Sequence, residues 1–349
     1  MKKIKKKLPL DKYINQALYD NHNGYYMKNL TFDKYGDFIT SPNISILFSE
    51  MIGLWIVMYW QKLGRPKKFN VIELGAGNGE MMFQIINILE KFIDIKNCLN
   101  FYIIEKSNFL KKVQKEKLKK SKIIWLDNIS KLKSNNKCLF FGNEFLDAFP
   151  IKQFEKINNI WFEKYIYEYK NKRYFKNVKA NIKKYIKVLG KEFSSNQNFI
   201  EFSPEQEKFL KNLSRYLKKN SGGVLLIDYG YFKSKMFNTL QSVKNHKKNN
   251  ILLNKGNADI THLINFKLLK KIFLNNGLKV SGVTSQGEFL KKMGIFERAE
   301  IISKNKLFND KVRIYSRVKR ITDKYGMGGQ FKVIFASHKS INFNLGFKI

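Results

Sequence analysis

The stretch that decides the fold is Asn70-Val71-Ile72-Glu73-Leu74-Gly75-Ala76-Gly77-Asn78-Gly79-Glu80. Asn70–Leu74 is a short apolar run that suits a buried strand. Three glycines follow at every second place. Glu80–Phe92 then carries Met82, Ile85, Ile86 and Leu89 at helical spacing. A strand that turns through glycines into a helix gathers free backbone N–H groups at one point. Glycine also lets the chain take positive φ and approach a ligand closely.

Working outward, strands and helices alternate. Phe101–Ile104 reads as a second strand, Asn108–Lys119 as a Lys-rich helix, Ile123–Leu126 as a third strand and Leu139–Phe141 as a fourth. This alternation predicts an α/β fold, a Rossmann-like, mostly parallel seven-stranded sheet with helices on both faces. Upstream, Leu10–Asp20 reads as a short helix. Ser41 is expected to cap a helix with Pro42 at its first position, running to about Leu63 and ending at Gly64.

Downstream, Ile151–Phe175 has no helical period and many aromatics, which predicts antiparallel strands in an inserted lobe. Ser203-Pro204-Glu205-Gln206 fits a capping box for a helix reaching Lys219. Val224–Ile227 and Phe331–Ser337 read as strands, Asn265 as a helix start, Leu278–Val283 as a strand, and Glu288–Arg320 as two short helices. The expected division is therefore an N-terminal helical and lid segment packed on the core (1–66), a Rossmann-like donor half (67–150), a β-rich substrate lobe (151–202), and the second half of the core with helical additions (203–349).

The net charge of +38 over 349 residues must be read with care. Only seven of the 66 basic residues are Arg, and Lys is spread along the chain. With plentiful Asn, Ile and Phe, that is what an AT-rich coding sequence yields. Nucleic-acid binders usually gather their charge on one face, so solvated Lys surface is the favoured reading and nucleic acid is not the expected partner. Cys98 and Cys138 make no disulfide framework. No Cys/His spacing calls for a metal. Ser49 and Glu50 interrupt the longest apolar stretch, Ile44–Trp60, so a membrane span of about 20 apolar residues is not expected. No apolar signal core follows the basic start. The expected location is the bacterial cytoplasm, with the mitochondrial matrix as the alternative.

The ends of the strands carry the chemistry. In dinucleotide enzymes the third glycine falls one place later, beneath a pyrophosphate. Here the pattern is G-x-G-x-G, and Glu73 ends the strand ahead of Gly75, Gly77 and Gly79. A carboxylate there repels a pyrophosphate and suits the cationic amino-acid part of S-adenosyl-L-methionine. Glu105, at the end of the second strand, can accept both ribose hydroxyls of an adenosine. Asp127 with Asn128, at the end of the third, can hold an adenine amino group. Gly36–Pro42 (GDFITSP) reads as a lid that brings Thr40 and Ser41 to the donor, or as a plain capped turn.

Asn143–Pro150 (NEFLDAFP) follows the fourth strand and is expected to face the methyl group. Methyl transfer from a sulfonium needs positioning and a free lone pair. Glu144 and Asp147, with Asn143, can orient a guanidinium by bidentate hydrogen bonds. The alternative is a loop acid and a helix cap. Asp228-Tyr229-Gly230 adds a strand-end acid near the same crevice.

Together these stretches resemble one family, the MidA-like family of the mitochondrial protein-arginine methyltransferase that assists complex I assembly. NGYY (Asn23–Tyr26), GDFITSP, the glycine loop, NEFLDAFP, DYG (Asp228–Gly230), ADIT (Ala258–Thr261), Gln286–Ile295 and MGGQFKV (Met327–Val333) keep the family's order over nearly the whole chain. The resemblance implies a class I methyltransferase fold, S-adenosyl-L-methionine as donor, and symmetric dimethylation of an arginine in a complex I core subunit. It implies Gly75, Gly77 and Gly79 as the donor loop and Asn143, Glu144 and Asp147 as the acceptor-side loop. The loop has Ala76 and Asn78 where many relatives carry Pro and Arg. The other readings are a non-catalytic assembly factor that keeps the fold, a nucleic-acid methyltransferase favoured by charge alone, and a nicotinamide oxidoreductase, which the misplaced third glycine disfavours.

Overall fold

The computed structural model describes residues 6–28, 40–170 and 172–347. Positions 36–39 of the expected lid lie outside them. The core strands begin after β1 (Lys6–Pro9), with β2 (Phe69–Leu74), β3 (Leu99–Ile104), β4 (Ile123–Leu126) and β5 (Lys137–Asn143). β6 (Lys152–Ile157), β7 (Ile160–Tyr169), β8 (Lys172–Lys179) and β9 (Phe199–Phe202) follow. Next come β10 (Gly223–Tyr231), β11 (Gln241–Lys244), β12 (Lys247–Lys248), β13 (Asp259–Thr261), β14 (Ile264–Asn265), β15 (Lys279–Ser285) and β16 (Phe331–Ser337).

The central sheet has the order β15-β16-β10-β5-β2-β3-β4, with β14 beside β10. β4, β3, β2, β5 and β10 run parallel. β16 lies antiparallel between β10 and β15. The path holds seven strands, of which β16 alone runs against the rest, so the expected mostly parallel sheet is a mixed one, and the two-residue β14 is an eighth strand beside it. The reversal arises because the helices after β15 return the chain to the sheet at the end where β15 leaves it, so that Ser285 pairs with Lys332 and Lys279 with Ser337.

Strand alternation divides the core. Val71, Leu139, Phe141, Leu225, Ile227, Val333 and Phe335 face one side, against the helices Ile46–Lys62 and Glu80–Leu89. Ile72, Cys138, Phe140, Val224, Leu226 and Ile334 face the other, against the helices Pro204–Lys219 and Phe266–Asn275. Successive residues of a strand point to opposite faces, so each strand serves two apolar layers and reads as a continuous apolar run.

Near the start of the chain, helix and lobe meet. β1 pairs with β7, which also pairs with β6 and β8. Helix Leu10–Tyr19 packs Leu10, Tyr13 and Ile14 with Ile151 and Ile166 of the lobe and Ile260. Helix Ile46–Lys62 instead packs on the core.

Three local expectations are corrected. The capped helix is broken at Ser45, whose backbone is extended (φ −145°, ψ 123°), into Ser41–Ile44 and Ile46–Lys62. Thr40, not Ser41, holds the capping position, because Ser41 is already helical and its Oγ donates to Gln286 Oε1 at 3.2 Å. Glu288–Arg320 holds parts of three helices, Gln286–Lys292, Ile295–Ser303 and Phe308–Thr322, because Gly294 in a left-handed turn splits the first two. Glu50, which breaks the apolar run of its helix, accepts from the Arg298 guanidinium at 2.8 and 3.3 Å. A paired charge is what a buried position tolerates. Among the described residues no helix is long and apolar enough to cross a membrane.

Candidate active site

The site forms where the parallel strands end. β2 delivers Glu73, then the chain turns through Gly75, Gly77 and Gly79 at φ +64°, +53° and +79°. A Cβ on Gly75 would lie 2.9 Å from the Phe145 ring, so both the space and the backbone angle require glycine there. Asn78 steadies the turn, its Oδ1 accepting from Glu80 N at 3.1 Å and its Nδ2 donating to Asn43.

Glu73 is buried, and its Oε2 has no hydrogen-bond partner. Burial, with the Glu105 charge nearby, raises its carboxyl to about 8. Glu105 is also buried. Ser107 N–H donates to Oε1 at 2.9 Å, and Gln114 Nε2 donates to Oε2 at 3.2 Å. Burial raises its carboxyl as well, and those bonds oppose the shift. Gln114 also donates to the Gly77 carbonyl at 2.9 Å and accepts from Trp125 Nε1. One glutamine thus ties the glycine turn to the end of β3.

Two cavities share this turn. The larger, about 470 Å³, is lined by Gly75, Gly77, Glu105, Asp127, Asn128 and Glu144, with Phe145, Phe149 and Phe209 as an aromatic wall. The smaller, about 40 Å³, is lined by Thr40, Glu73, Gly75, Gly77, Asn78, Asn143 and Glu144. An unpartnered buried carboxylate oxygen at the smaller cavity fits the cationic amino-acid end of a sulfonium donor. A hydrogen-bonded strand-end Glu105 on the larger one fits its ribose.

The acceptor-side loop starts at Glu144, a non-glycine residue at φ +52°. Its N–H donates to the Ile227 carbonyl at 2.9 Å. Asn143 Nδ2 donates to Glu144 Oε1 at 3.0 Å, and the Ser41 N–H also bonds its carboxylate. Burial, then the Asp147 charge, raises the Glu144 carboxyl to about 8. Asp147 is buried and accepts from Tyr229 Oη at 2.5 Å. Burial raises it to about 6. Asp228 braces the loop. Its Oδ2 accepts from the Leu146 and Asp147 N–H groups at 2.9 and 3.3 Å, and its Oδ1 from Tyr229 N at 2.9 Å. Burial, with Asp147 and Glu144 close by, pushes its carboxyl well up.

The expected residues are therefore gathered unevenly. Glu73, Gly75, Gly77, Glu105, Asp127, Asn128, Thr40, Asn143 and Glu144 line one cavity or both. Gly79, Ser41 and Asp147 line neither. Gly79 packs over Gln114 and Leu118, and Ser41 turns to Gln286. Asp127 is drawn outward into ion pairs with Lys111 and Lys131, which lower its carboxyl. Asn128 Oδ1 caps the turn Ile129–Lys131.

Sequence reasoning passed over Tyr19 and Tyr26, which line the larger cavity. Tyr19 Oη donates to Ala148 O at 3.1 Å and Tyr26 Oη to Asp259 Oδ1 at 2.9 Å. The stretch NGYY (Asn23–Tyr26) was the available signal, read as part of the family resemblance with no role given to its tyrosines.

Four likenesses bear on this geometry. Residues 51–284 match a family model described as "Putative S-adenosyl-L-methionine-dependent methyltransferase". The chain is 28% identical over 355 residues to a Drosophila melanogaster protein named protein arginine methyltransferase NDUFAF7 homolog, mitochondrial, covering 94% of this chain and 80% of that one. It is 31% identical to the Caenorhabditis elegans protein of that name, covering 79% of this chain and 70% of that one. A crystal structure of a Burkholderia thailandensis protein bound to S-adenosyl-homocysteine shares the fold at TM-score 0.82 and 22% identity, covering 97% of this chain and 90% of that one.

Proposed function

The chain belongs to this family of S-adenosyl-L-methionine-dependent methyltransferases, and we propose that it methylates arginine in a protein. The observation that carries the proposal is Glu144, an acid in a strongly basic chain. It stands on the wall common to both cavities with its carboxyl raised toward neutrality. A cation brought beside it supplies the missing counter-charge.

In this reading Gly75 and Gly77 let the donor approach the backbone, Glu73 takes its ammonium group and Glu105 its ribose. Asp127 and Asn128 stand at its adenine end, and Thr40 borders the amino-acid end. The bound donor supplies a methyl group on a sulfonium, ready for in-line displacement. Ionised Glu144 accepts guanidinium N–H bonds and fixes which nitrogen faces the methyl. Asn143 holds Glu144 in place. Asp147, bonded to Tyr229, adds negative charge from behind the wall. As a nitrogen gains its methyl it gives up a proton, and a carboxylate with a pKa of about 8 is suited to take it, at a Glu144 oxygen.

The lobe at 151–202 is the surface we assign to the protein substrate. The names of the relatives support protein arginine methylation; as the family resemblance implies, the substrate would be a core subunit of respiratory complex I and the product symmetric dimethylarginine. The compartment would be the bacterial cytoplasm, or alternatively the mitochondrial matrix, the relatives being named as mitochondrial.

Two measurements test this. Calorimetry with S-adenosyl-L-methionine should show binding by the wild type and loss of about 100-fold or more in Gly77→Val, whose branched side chain suits neither positive φ nor donor approach. Radiolabelled donor incubated with a purified NADH dehydrogenase core subunit should yield symmetric dimethylarginine on hydrolysis. Donor binding without any methylarginine would overturn the catalytic reading in favour of a non-catalytic assembly factor.

A further inference from the structure

The helix Phe308–Thr322 and the turn before it carry an apolar face that no described residue covers. Leu307 and Phe308 are 79% and 78% exposed, and Val312 and Tyr315 are exposed as well. At 100° per residue, Phe308, Val312 and Tyr315 fall on one stripe. The helix's core contacts, Val318 and Ile321, lie roughly 90° and 150° round the helix from the stripe. This stripe is therefore in addition to the face that the core already uses. Tyr315 Oη lies 3.4 Å from Ser303 Oγ, which pins the turn against the helix. Ile301, on the helix Ile295–Ser303, is a further exposed apolar side chain at this corner.

The charge here differs from the diffuse Lys surface elsewhere. Residues 304–320 hold Lys304, Lys306, Lys311, Arg313, Arg317, Lys319 and Arg320 against the single acid Asp310. Arginine is rare in the chain, seven residues in all, yet three of them stand between 313 and 320. A compositional drift toward Lys does not produce that concentration. On the helical wheel Lys319 falls within the apolar stripe and Lys311 at its border, while Arg313, Arg317 and Arg320 form a cationic face roughly 110–170° round from the stripe.

We propose that this corner docks the protein on an anionic membrane surface. A helix with an apolar stripe and a cationic polar face lies in the interface of a bilayer, its apolar side chains among the lipid tails and its cations reaching the headgroups. Leu307 and Phe308 are too exposed to form the wall of a groove, and that exposure suits insertion. Duplex nucleic acid gives these two residues nothing to bury. An acidic protein partner could take the charge but would need a cleft for the tip. The attachment is peripheral, since no described helix can span a bilayer.

The test is flotation of the full chain with phosphatidylcholine vesicles, with and without about one third phosphatidylglycerol. Wild type is expected to float with the anionic vesicles only, and high salt should weaken binding. The double substitution Leu307→Asp with Phe308→Asp should lower the bound fraction about tenfold, as should the triple substitution Arg313→Gln, Arg317→Gln and Arg320→Gln. All these residues are exposed. A thermal melt and donor calorimetry like those of the wild type would show that the variants are folded. The proposal is overturned if wild type stays at the bottom of the gradient. It is equally overturned if both variants float as wild type does, because binding would then belong to the Lys surface at large. Loss of self-association or of duplex DNA capture in the variants, without vesicle binding by wild type, overturns it too.

Discussion

The loops after β2 and β5 leave neighbouring strands and solve the same problem in opposite ways. Each must reverse direction at once, and each does so with positive φ. After β2 the residues that take it are Gly75, Gly77 and Gly79; after β5 it is Glu144. Glycine takes that conformation without strain, whereas a side-chain-bearing residue there costs on the order of 1–3 kcal/mol. The first loop therefore offers backbone to a ligand, and little inside the protein binds its one acid. Glu73 Oε2 is left without a partner. The second keeps a strained residue because it needs the side chain, and it is braced from β10 by Asp228 and Tyr229. The difference teaches that close approach is bought with glycine, while a positioned charge needs a third strand to hold it.

If that contrast is right, the largest effect should come from the braced loop. Glu144→Gln keeps the shape and removes the charge. Turnover on an arginine substrate is expected to fall about 100- to 1,000-fold, while donor affinity measured by calorimetry stays within about threefold. A comparable loss of donor affinity would dissolve the distinction between the loops.

A smaller effect, visible mainly in pH dependence, should come from Glu73, the acid of the first loop with one unpartnered oxygen. Glu73 has its carboxyl raised to about 8, so it is largely neutral at pH 6 and ionises as pH rises. A cationic donor should therefore bind more tightly as pH rises from 6 to 8.5, by about tenfold, with proton release measurable in buffers of different ionisation enthalpy. Glu73→Gln should flatten that slope. The sign for stability is opposite. A carboxyl raised in the folded state keeps its proton better there, so its contribution is fully present below the ordinary value of 4.5 and is lost as pH climbs through about 8. The melting temperature of the donor-free protein should fall over that interval. The smallest effect is expected from Asp127→Ala. That acid is already engaged by Lys111 and Lys131 at the surface, and donor affinity should drop by no more than about threefold.

The same contrast marks what could be read in the sequence. The glycine turn was legible because its requirement is local. Strand, glycine and helix follow one another within a few residues, and only glycine meets both the φ and the contact with Phe145. The strand-end acids were legible as positions, since a ligand in such a sheet binds beyond the carboxyl ends. Their partners were not. Whether Asp127 at the cavity is free or held by two lysines, or whether Ser41 meets a donor or Gln286, depends on partners that only the fold brings together. The break at Ser45 was hidden because Ser41–Ile44 and Ile46–Lys62 together have the composition of one apolar helix. The reversal of β16 was hidden because a strand's apolar alternation is the same in either direction.

β16 has a consequence for the chain as it is made. It is inserted between β10 and β15, so the sheet stays split until residues 331–337 have left the ribosome. By then β2 to β5 and β10 have long been available to pair with one another. A growing chain stalled short of β16 presents β10, from Gly223 to Ile227 wholly apolar and destined for burial, as an open edge. Such an edge is a template for strand addition between chains. Slow translation of the helices from Gln286 to Thr322 should thus be the interval in which the nascent protein most needs a chaperone, even though its donor-binding half is already complete.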